Sequence, residues 1–155
     1  VSYLNRALII NGPNLNKLGI REKGQYGKLS LEELNEKIML HAKSRNLKLD
    51  FFQSNHEGEI IDKLHESYES VDFIIINAAA YTHYSYAIRD AIKAINSYVI
   101  EVHITNVYQR EEFRHKSVIS DVCSGTITGF GYNSYLLAVD AGLFYLEDGK
   151  GECAL

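Results

Sequence analysis

The sequence predicts an α/β fold: a parallel β-sheet with helices packed on both of its faces. Three observations carry this. Short continuous apolar runs such as Phe73-Ile74-Ile75-Ile76 lack the polar alternation of a half-exposed strand, so they fit strands buried on both faces. The intervals between these runs carry apolar residues at helical spacing. The two patterns take turns along the chain, the order expected when each strand is followed by a crossover helix.

Ala7 to Ile10 is the first strand, ended by the turn sequence Asn11-Gly12-Pro13-Asn14. Ser30 and Glu33 form a capping box, and Leu31, Leu34, Ile38 and Ala42 follow along one helical face. Leu47 to Gln53 reads as the second strand. Ser54 with Glu57 repeats the capping signature ahead of Ile60, Ile61 and Leu64. After the third strand, Phe73 to Ile76, comes the stripe Ala87, Ile88, Ala91, Ile92 and Ile95. Tyr98 to Val102 is the fourth strand and Gly125 to Phe130 the fifth. A last helix runs from Ser134 to Tyr145, and the tail from Glu147 to Leu155 reads as frayed. Right-handed crossovers then give a doubly wound, flavodoxin-like five-stranded parallel sheet in a three-layer sandwich. No linker or low-complexity segment interrupts it, so residues 1–155 are expected to form a single domain.

Composition narrows the function. The chain has 155 residues, 46% of them apolar and 23% charged, with net charge -4. That balance excludes a disordered chain and argues against a dedicated nucleic-acid binder, which shows a basic face. No apolar run approaches the roughly 20 residues of a membrane helix. No secretory signal is seen, so Cys123 and Cys153 read as free thiols of a reduced cytoplasm rather than a pair.

Doubly wound sheets bind ligands beyond the carboxyl ends of their strands. The first strand ends in Asn11-Gly12-Pro13-Asn14 and the third in Asn77-Ala78-Ala79-Ala80, which serve equally as plain turns or as close backbone approach to a ligand. At the second strand's end, Ser54-Asn55-His56-Glu57 needs no explanation beyond a helix cap. Glu101 and His103, two apart on the fourth strand, point to one face. A carboxylate beside an imidazole suits a general acid or base; a satisfied buried pair would look the same. From Leu15 to Leu29 the chain has no apolar periodicity, well beyond the usual loop of about two to six residues. With Arg21, Tyr26 and the possible hinges Gly19, Gly24 and Gly27, this segment reads as a lid, an exposed polar loop being the alternative. Arg110 and Arg114 share a face if their segment is helical; they fit either surface charge alternation or an anionic substrate. His83 lies at the start of a helix, where a neutral imidazole could donate to a hydroxyl. No His-x-x-x-His or Cys-x-x-Cys spacing marks a metal site, and no glycine-rich phosphate fingerprint follows the first strand.

Taken together, Asn11-Gly12-Pro13-Asn14-Leu15-Asn16, Leu18-Gly19, Arg21-Glu22, Tyr26-Gly27, Gln53-Ser54-Asn55-His56-Glu57-Gly58-Glu59, Tyr81-Thr82-His83, Arg89-Asp90-Ala91, Glu101-Val102-His103 and Arg110-Glu111-Glu112-Phe113-Arg114 form an ordered series. In this series, which covers nearly the whole chain, the sequence resembles the type II 3-dehydroquinate dehydratases of the shikimate and quinate pathways. The resemblance implies dehydration of 3-dehydroquinate to 3-dehydroshikimate with no cofactor, metal or Schiff base. It makes Tyr26 the general base. An ordinary phenol titrates near pH 10, so a phenolate at neutral pH needs nearby cations, for which Arg21 and Arg114 are available. It makes His103 the acid that protonates the leaving hydroxyl, oriented by Glu101, and assigns Asn14 an ordered water that donates to the enolate. Asn77, His83, Arg114 and the backbone of Ile104 and Thr105 match positions that hold the substrate. Arg110 fits a supporting charge. Asp90 matches a residue that reaches a neighbouring subunit's site, since the family assembles trimers into dodecamers.

Departures from the family pattern are few. Ala78-Ala79 stands where many members have Pro-Gly, Tyr84 and Thr105 replace a common Thr and Ser, and the lid lacks its usual proline. Two rival classes stand beside it: a binding module for a flavin or phosphorylated ligand, suggested by the fold alone, and an inactive scaffold or subunit of a larger assembly. The first needs a phosphate-cradling loop after the first strand; the second predicts loss of Tyr26, Arg21 or His103, all of which are present.

Overall fold

A computed structural model describes residues 3–149. Strands β1 (Asn5–Asn11), β2 (Leu47–Gln53), β3 (Phe73–Asn77), β4 (Val99–His103) and β5 (Gly125–Thr128) form one parallel sheet in the order β2-β1-β3-β4-β5. This is the flavodoxin-like order, whose reversal of direction falls between β1 and β3. The strand ends there are in register, Asn11 beside Asn77 and beside Gln53.

Alternation along each strand divides the core. Ala7, Ile9, Phe73, Ile75, Ile100 and Val102 face α2 (Leu31–Ser44) and α5 (Asn133–Glu147). Leu8, Ile10, Ile74, Ile76 and Val99 face α3 (Glu57–Ser67) and α4 (Tyr86–Ile95). Helix α5 lies so close to the sheet that a Cβ on Gly142 would stand 2.3 Å from the Phe73 ring. At the other end of the strands, a Cβ on Gly12 would stand 2.6 Å from the Ala78 carbonyl oxygen, so glycine alone lets the β1 and β3 ends touch.

The expected capping box of α2 is present: Ser30 Oγ accepts from Glu33 N–H and Glu33 Oε2 accepts from Ser30 N–H. The second capping signature is not a cap. Helix α3 starts after His56 without a side-chain cap, because Ser54 Oγ accepts from His56 N–H and donates to Glu59. The segment from Leu15 to Leu29 is also more ordered than its lack of periodicity suggests. It holds a 3-10 turn (Leu15–Lys17) and a one-turn helix α1 (Lys23–Tyr26), anchored by the buried Leu15 and Leu18. Pieces of three and four residues are too short to show a period. The chain around Arg110 and Arg114 is likewise not one helix; a 3-10 turn begins only at Glu112. Cys123 is a half-buried free thiol, while Cys153 and the end of the tail lie outside the described residues. Among the described residues no helix is long and apolar enough to cross a membrane.

Candidate active site

A cavity of about 100 Å³ opens beyond the carboxyl ends of β1, β3 and β4. Its walls include Asn14 from the β1 turn, Arg21 and Tyr26 from the segment between β1 and α2, Asn77 from the end of β3, His83 from beyond it, and His103, Ile104, Thr105, Arg110 and Arg114 from β4 and the segment after it. Residues distant in sequence thus converge where the topology says a ligand should sit.

On one side of the cavity is a phenol among guanidinium groups. Arg110 Nη1 donates to Tyr26 Oη at 2.5 Å, and the Arg110 side chain is only 7% exposed. The Arg21 and Arg110 guanidinium carbons lie 4.8 and 5.0 Å from the Tyr26 ring centroid. The sequence reading made Arg110 a supporting charge and Arg114 a cation for the phenol, and here the structure differs. Arg114 donates from Nε to Glu111 at 2.5 Å, and it is Arg110 that meets the hydroxyl. With no helix to align the two arginines, each takes its own direction. Arg21 Nε is buried without a hydrogen-bond partner among the described residues.

Glu101 and His103 share the α4 side of β4, as their spacing predicts. His103 Nε2 lies 2.5 Å from Glu101 Oε2, leaving Nδ1 as the ring nitrogen not bound to the carboxylate. Glu101 is 1% exposed, and its other oxygen accepts from Ser117 and Ser120 at 3.0 and 2.6 Å. Burial pushes this carboxyl up, but the hydrogen bonds from His103, Ser120 and Ser117 outweigh it and hold it below the usual range. Glu101 therefore remains an anion that fixes the His103 tautomer while standing outside the cavity wall.

His83 stacks near His103, ring centroids 6.5 Å apart. Burial, the His103 charge and Arg114 press its pKa down against the opposing hydrogen bond from Nδ1 to the Lys116 carbonyl at 2.8 Å. A neutral ring that donates from Nδ1 has an accepting Nε2. The donor of a neutral His83 is thus engaged by the Lys116 carbonyl, and Nε2 is the nitrogen left for a hydroxyl.

Asn14 adopts the left-handed conformation at φ 67°, and its N–H donates to Asn55 Oδ1 at 2.9 Å. Gln53 Nε2 donates to the Gly12 carbonyl and to the same Asn55 oxygen. The turn after β2, read from sequence as a cap, therefore braces the β1 turn. Gly12 N–H is engaged by the Asn77 carbonyl at 2.7 Å, and with Asn14 N–H also taken the turn is a poor phosphate cradle. The carbonyls of Ile104 and Thr105 are tied to Gly131 N–H and Thr128 Oγ1, both at 2.9 Å, which fixes that backbone along the cavity. Asp90 is exposed on α4 and does not line the cavity; its neighbour Arg89 turns back onto Asp121 and the Val118 carbonyl.

A sequence profile described as dehydroquinase class II matches residues 5–143, almost all of the described chain. The chain belongs to the class II dehydroquinase family. It is 60% identical over 139 residues to a 3-dehydroquinate dehydratase of Caldicellulosiruptor bescii, covering 89% of this chain and 96% of that protein. The crystal structure of a type II dehydroquinase from Butyrivibrio crossotus superposes with a TM-score of 0.88 at 52% identity, covering 90% of this chain and 97% of the other. That from Propionibacterium acnes gives 0.87 at 35% identity, covering 91% and 97%. Membership in this family agrees with the strand order and with the place of the cavity in the sheet.

Proposed function

We propose that this protein dehydrates 3-dehydroquinate to 3-dehydroshikimate through an enolate intermediate. The observation that carries the reading is that Tyr26 and His103 line one cavity from different elements, each with the partner its role demands: Arg110 on the phenol, Glu101 on the imidazole.

Tyr26, as phenolate, takes the proton on the carbon next to the ketone. The electron pair moves into the enolate, and the ordered water assigned to Asn14 donates to its oxygen. When the enolate re-forms the ketone, the C–O bond to the leaving hydroxyl breaks and His103 supplies the proton that makes it water. Exchange with solvent then removes one proton from Tyr26 and returns one to His103. Asn77, His83, Arg114 and the backbone of Ile104 and Thr105 hold the hydroxyls and carboxylate of the substrate. The step serves aromatic amino acid biosynthesis through shikimate or the breakdown of quinate, in the cytoplasm. The active form is a homo-oligomer, a dodecamer built from trimers, with Asp90 reaching the site of an adjacent copy.

The test is incubation with 3-dehydroquinate while following the enone absorbance of the product. The unaltered protein should produce that absorbance, and Tyr26→Phe should abolish turnover while substrate still binds; loss of a sole general base costs about 10²–10⁴-fold. A folded protein that forms no product, or a Tyr26→Phe variant with near-normal kcat, overturns the proposal.

A further inference from the structure

Behind the cavity wall, a buried hydrogen-bond chain joins the ends of β1 and β3 to the first turn of α5. Asn77 Nδ2 donates to Tyr135 Oη at 2.9 Å, and the Tyr135 hydroxyl donates to Asn11 Oδ1 at 2.6 Å. Asn77 Oδ1 accepts from Ala79 N–H at 3.1 Å. Asn11, Asn77 and Tyr135 are all buried, Tyr135 completely. Of the three, Asn77 lines the cavity.

The direction of this chain is set by counting hydrogens. Burial pushes the Tyr135 phenol up, so it keeps its single hydrogen, and Asn11 takes it. The phenol oxygen can then only accept from Asn77. A flipped Asn77 amide would set its oxygen against a hydroxyl with no hydrogen left to give. It would also set its NH₂ against the N–H of Ala79, donor against donor. The amide is therefore held one way round, with one Nδ2 hydrogen committed to Tyr135 and the other remaining for the cavity.

We propose that Tyr135 is a positioning residue for substrate binding: through the Asn11–Tyr135–Asn77 chain it locks Asn77 so that the cavity is offered a hydrogen-bond donor, matched to an oxygen acceptor of an anionic, hydroxylated substrate. This rests on the proposed dehydratase reading, in which that substrate is 3-dehydroquinate. Without the Tyr135 oxygen, the Ala79 N–H alone opposes a flip, and the fraction of amides that turn over presents its own oxygen to the substrate, which repels an acceptor. The chemical groups Tyr26 and His103 are untouched, so the effect belongs on binding rather than on the proton transfers.

Tyr135→Phe removes the oxygen and keeps the ring. KM for 3-dehydroquinate should rise about tenfold, as for loss of one hydrogen bond to a charged group, with kcat within about twofold. A tyrosine that merely satisfies buried amides would lower Tm without this split. The second arm repeats the substitution in an Asn77→Ala background, where Tyr135→Phe should lower Tm but leave KM unchanged. An unchanged KM in the single variant, or the same rise in both backgrounds, overturns the proposal. If the unaltered protein does not turn over 3-dehydroquinate, the dehydratase reading fails separately. The same cycle is then read by calorimetric binding of 3-dehydroquinate: loss of affinity in Tyr135→Phe alone supports the positioning role, and no binding by any variant overturns it too.

Discussion

Arg110 Nη1 meets Tyr26 Oη at 2.5 Å, joining the segment after β4 to the lid 84 positions earlier in the chain. The bond does two things. It places a cation on the oxygen that carries negative charge under the proposed mechanism, and it ties the Lys23–Tyr26 helix to the segment after β4 at the cavity. Arg110→Met should therefore lower kcat about 10- to 100-fold, the usual cost of losing a charge-assisted hydrogen bond. Arg110→Lys should recover only part, because a point charge replaces a planar fork. Arg114→Met should act mainly on KM. Steady-state kinetics on the three variants decide between the arginines, and a kcat loss confined to Arg114→Met would return the phenol's partner to the one the sequence suggested.

The sheet was legible because its signals are local and repeated: unbroken apolar runs, a capping box at Ser30, and helical stripes between them. The sheet order follows from crossover handedness, and with it the place of the cavity. What stayed hidden depends on side-chain direction in irregular backbone. Arg110 and Arg114 look equivalent when four apart, and only the non-helical path separates them. Asn55 reads as part of a cap until its oxygen is seen on Asn14. Tyr135 sits in an apolar helix and reads as core; its hydroxyl partners come from strands 58 and 124 positions away.

His103→Ala should lower kcat by about 10²–10⁴-fold, the range for loss of a general acid. Glu101→Gln should cost less, because it disturbs the tautomer and leaves the imidazole in place. The two kcat values settle the order, and a Glu101→Gln variant more damaged than His103→Ala would reverse the roles assigned here.

Glu101 also gives stability a pH dependence of defined sign. Its folded-state carboxyl lies below the ordinary value of 4.5, despite burial, because of the bonds from His103, Ser120 and Ser117. As pH falls below that ordinary value, the unfolded chain takes up this proton first. The contribution is thus complete above about pH 4.5 and is lost as pH drops through the lower folded value. Tm measured between about pH 7 and about pH 3.5 should show Glu101→Gln less stable at neutrality, with the gap closing in acid. A constant gap would mean that the carboxylate is not what the pocket of hydroxyls stabilises.

Asp90 tests the assembly. Arg89 is engaged within its own chain by Asp121, which leaves Asp90 exposed as the acidic group of that helix face. Under the proposed trimer, Asp90→Ala should reduce kcat/KM although the residue does not line its own chain's cavity. Light scattering should report about twelve chains, or three if trimers separate. An active monomer, indifferent to Asp90→Ala, would remove the role in trans.

Ala79 is the clearest strain in the site. It holds φ 53°, in the left-handed region, two residues after Asn77, and lines the cavity beside Ala80. An L-residue there costs roughly 1–2 kcal/mol relative to an unstrained conformation. Ala79→Gly relieves that strain but adds unfolded-state entropy worth roughly 0.5–1 kcal/mol, so the net stabilisation is about 0.5–1 kcal/mol. For a chain of this size, thermal unfolding should move up by about 1–4 °C. The Ala79 N–H that supports Asn77 Oδ1 survives the change, since it belongs to the backbone. Activity should accordingly hold within about twofold, because glycine can keep the same φ without strain. A lower Tm would show that the alanine methyl contributes packing that outweighs its backbone strain. A rise in KM without loss of stability would show instead that a stiff residue at this position is needed to keep Asn77 aimed at the substrate.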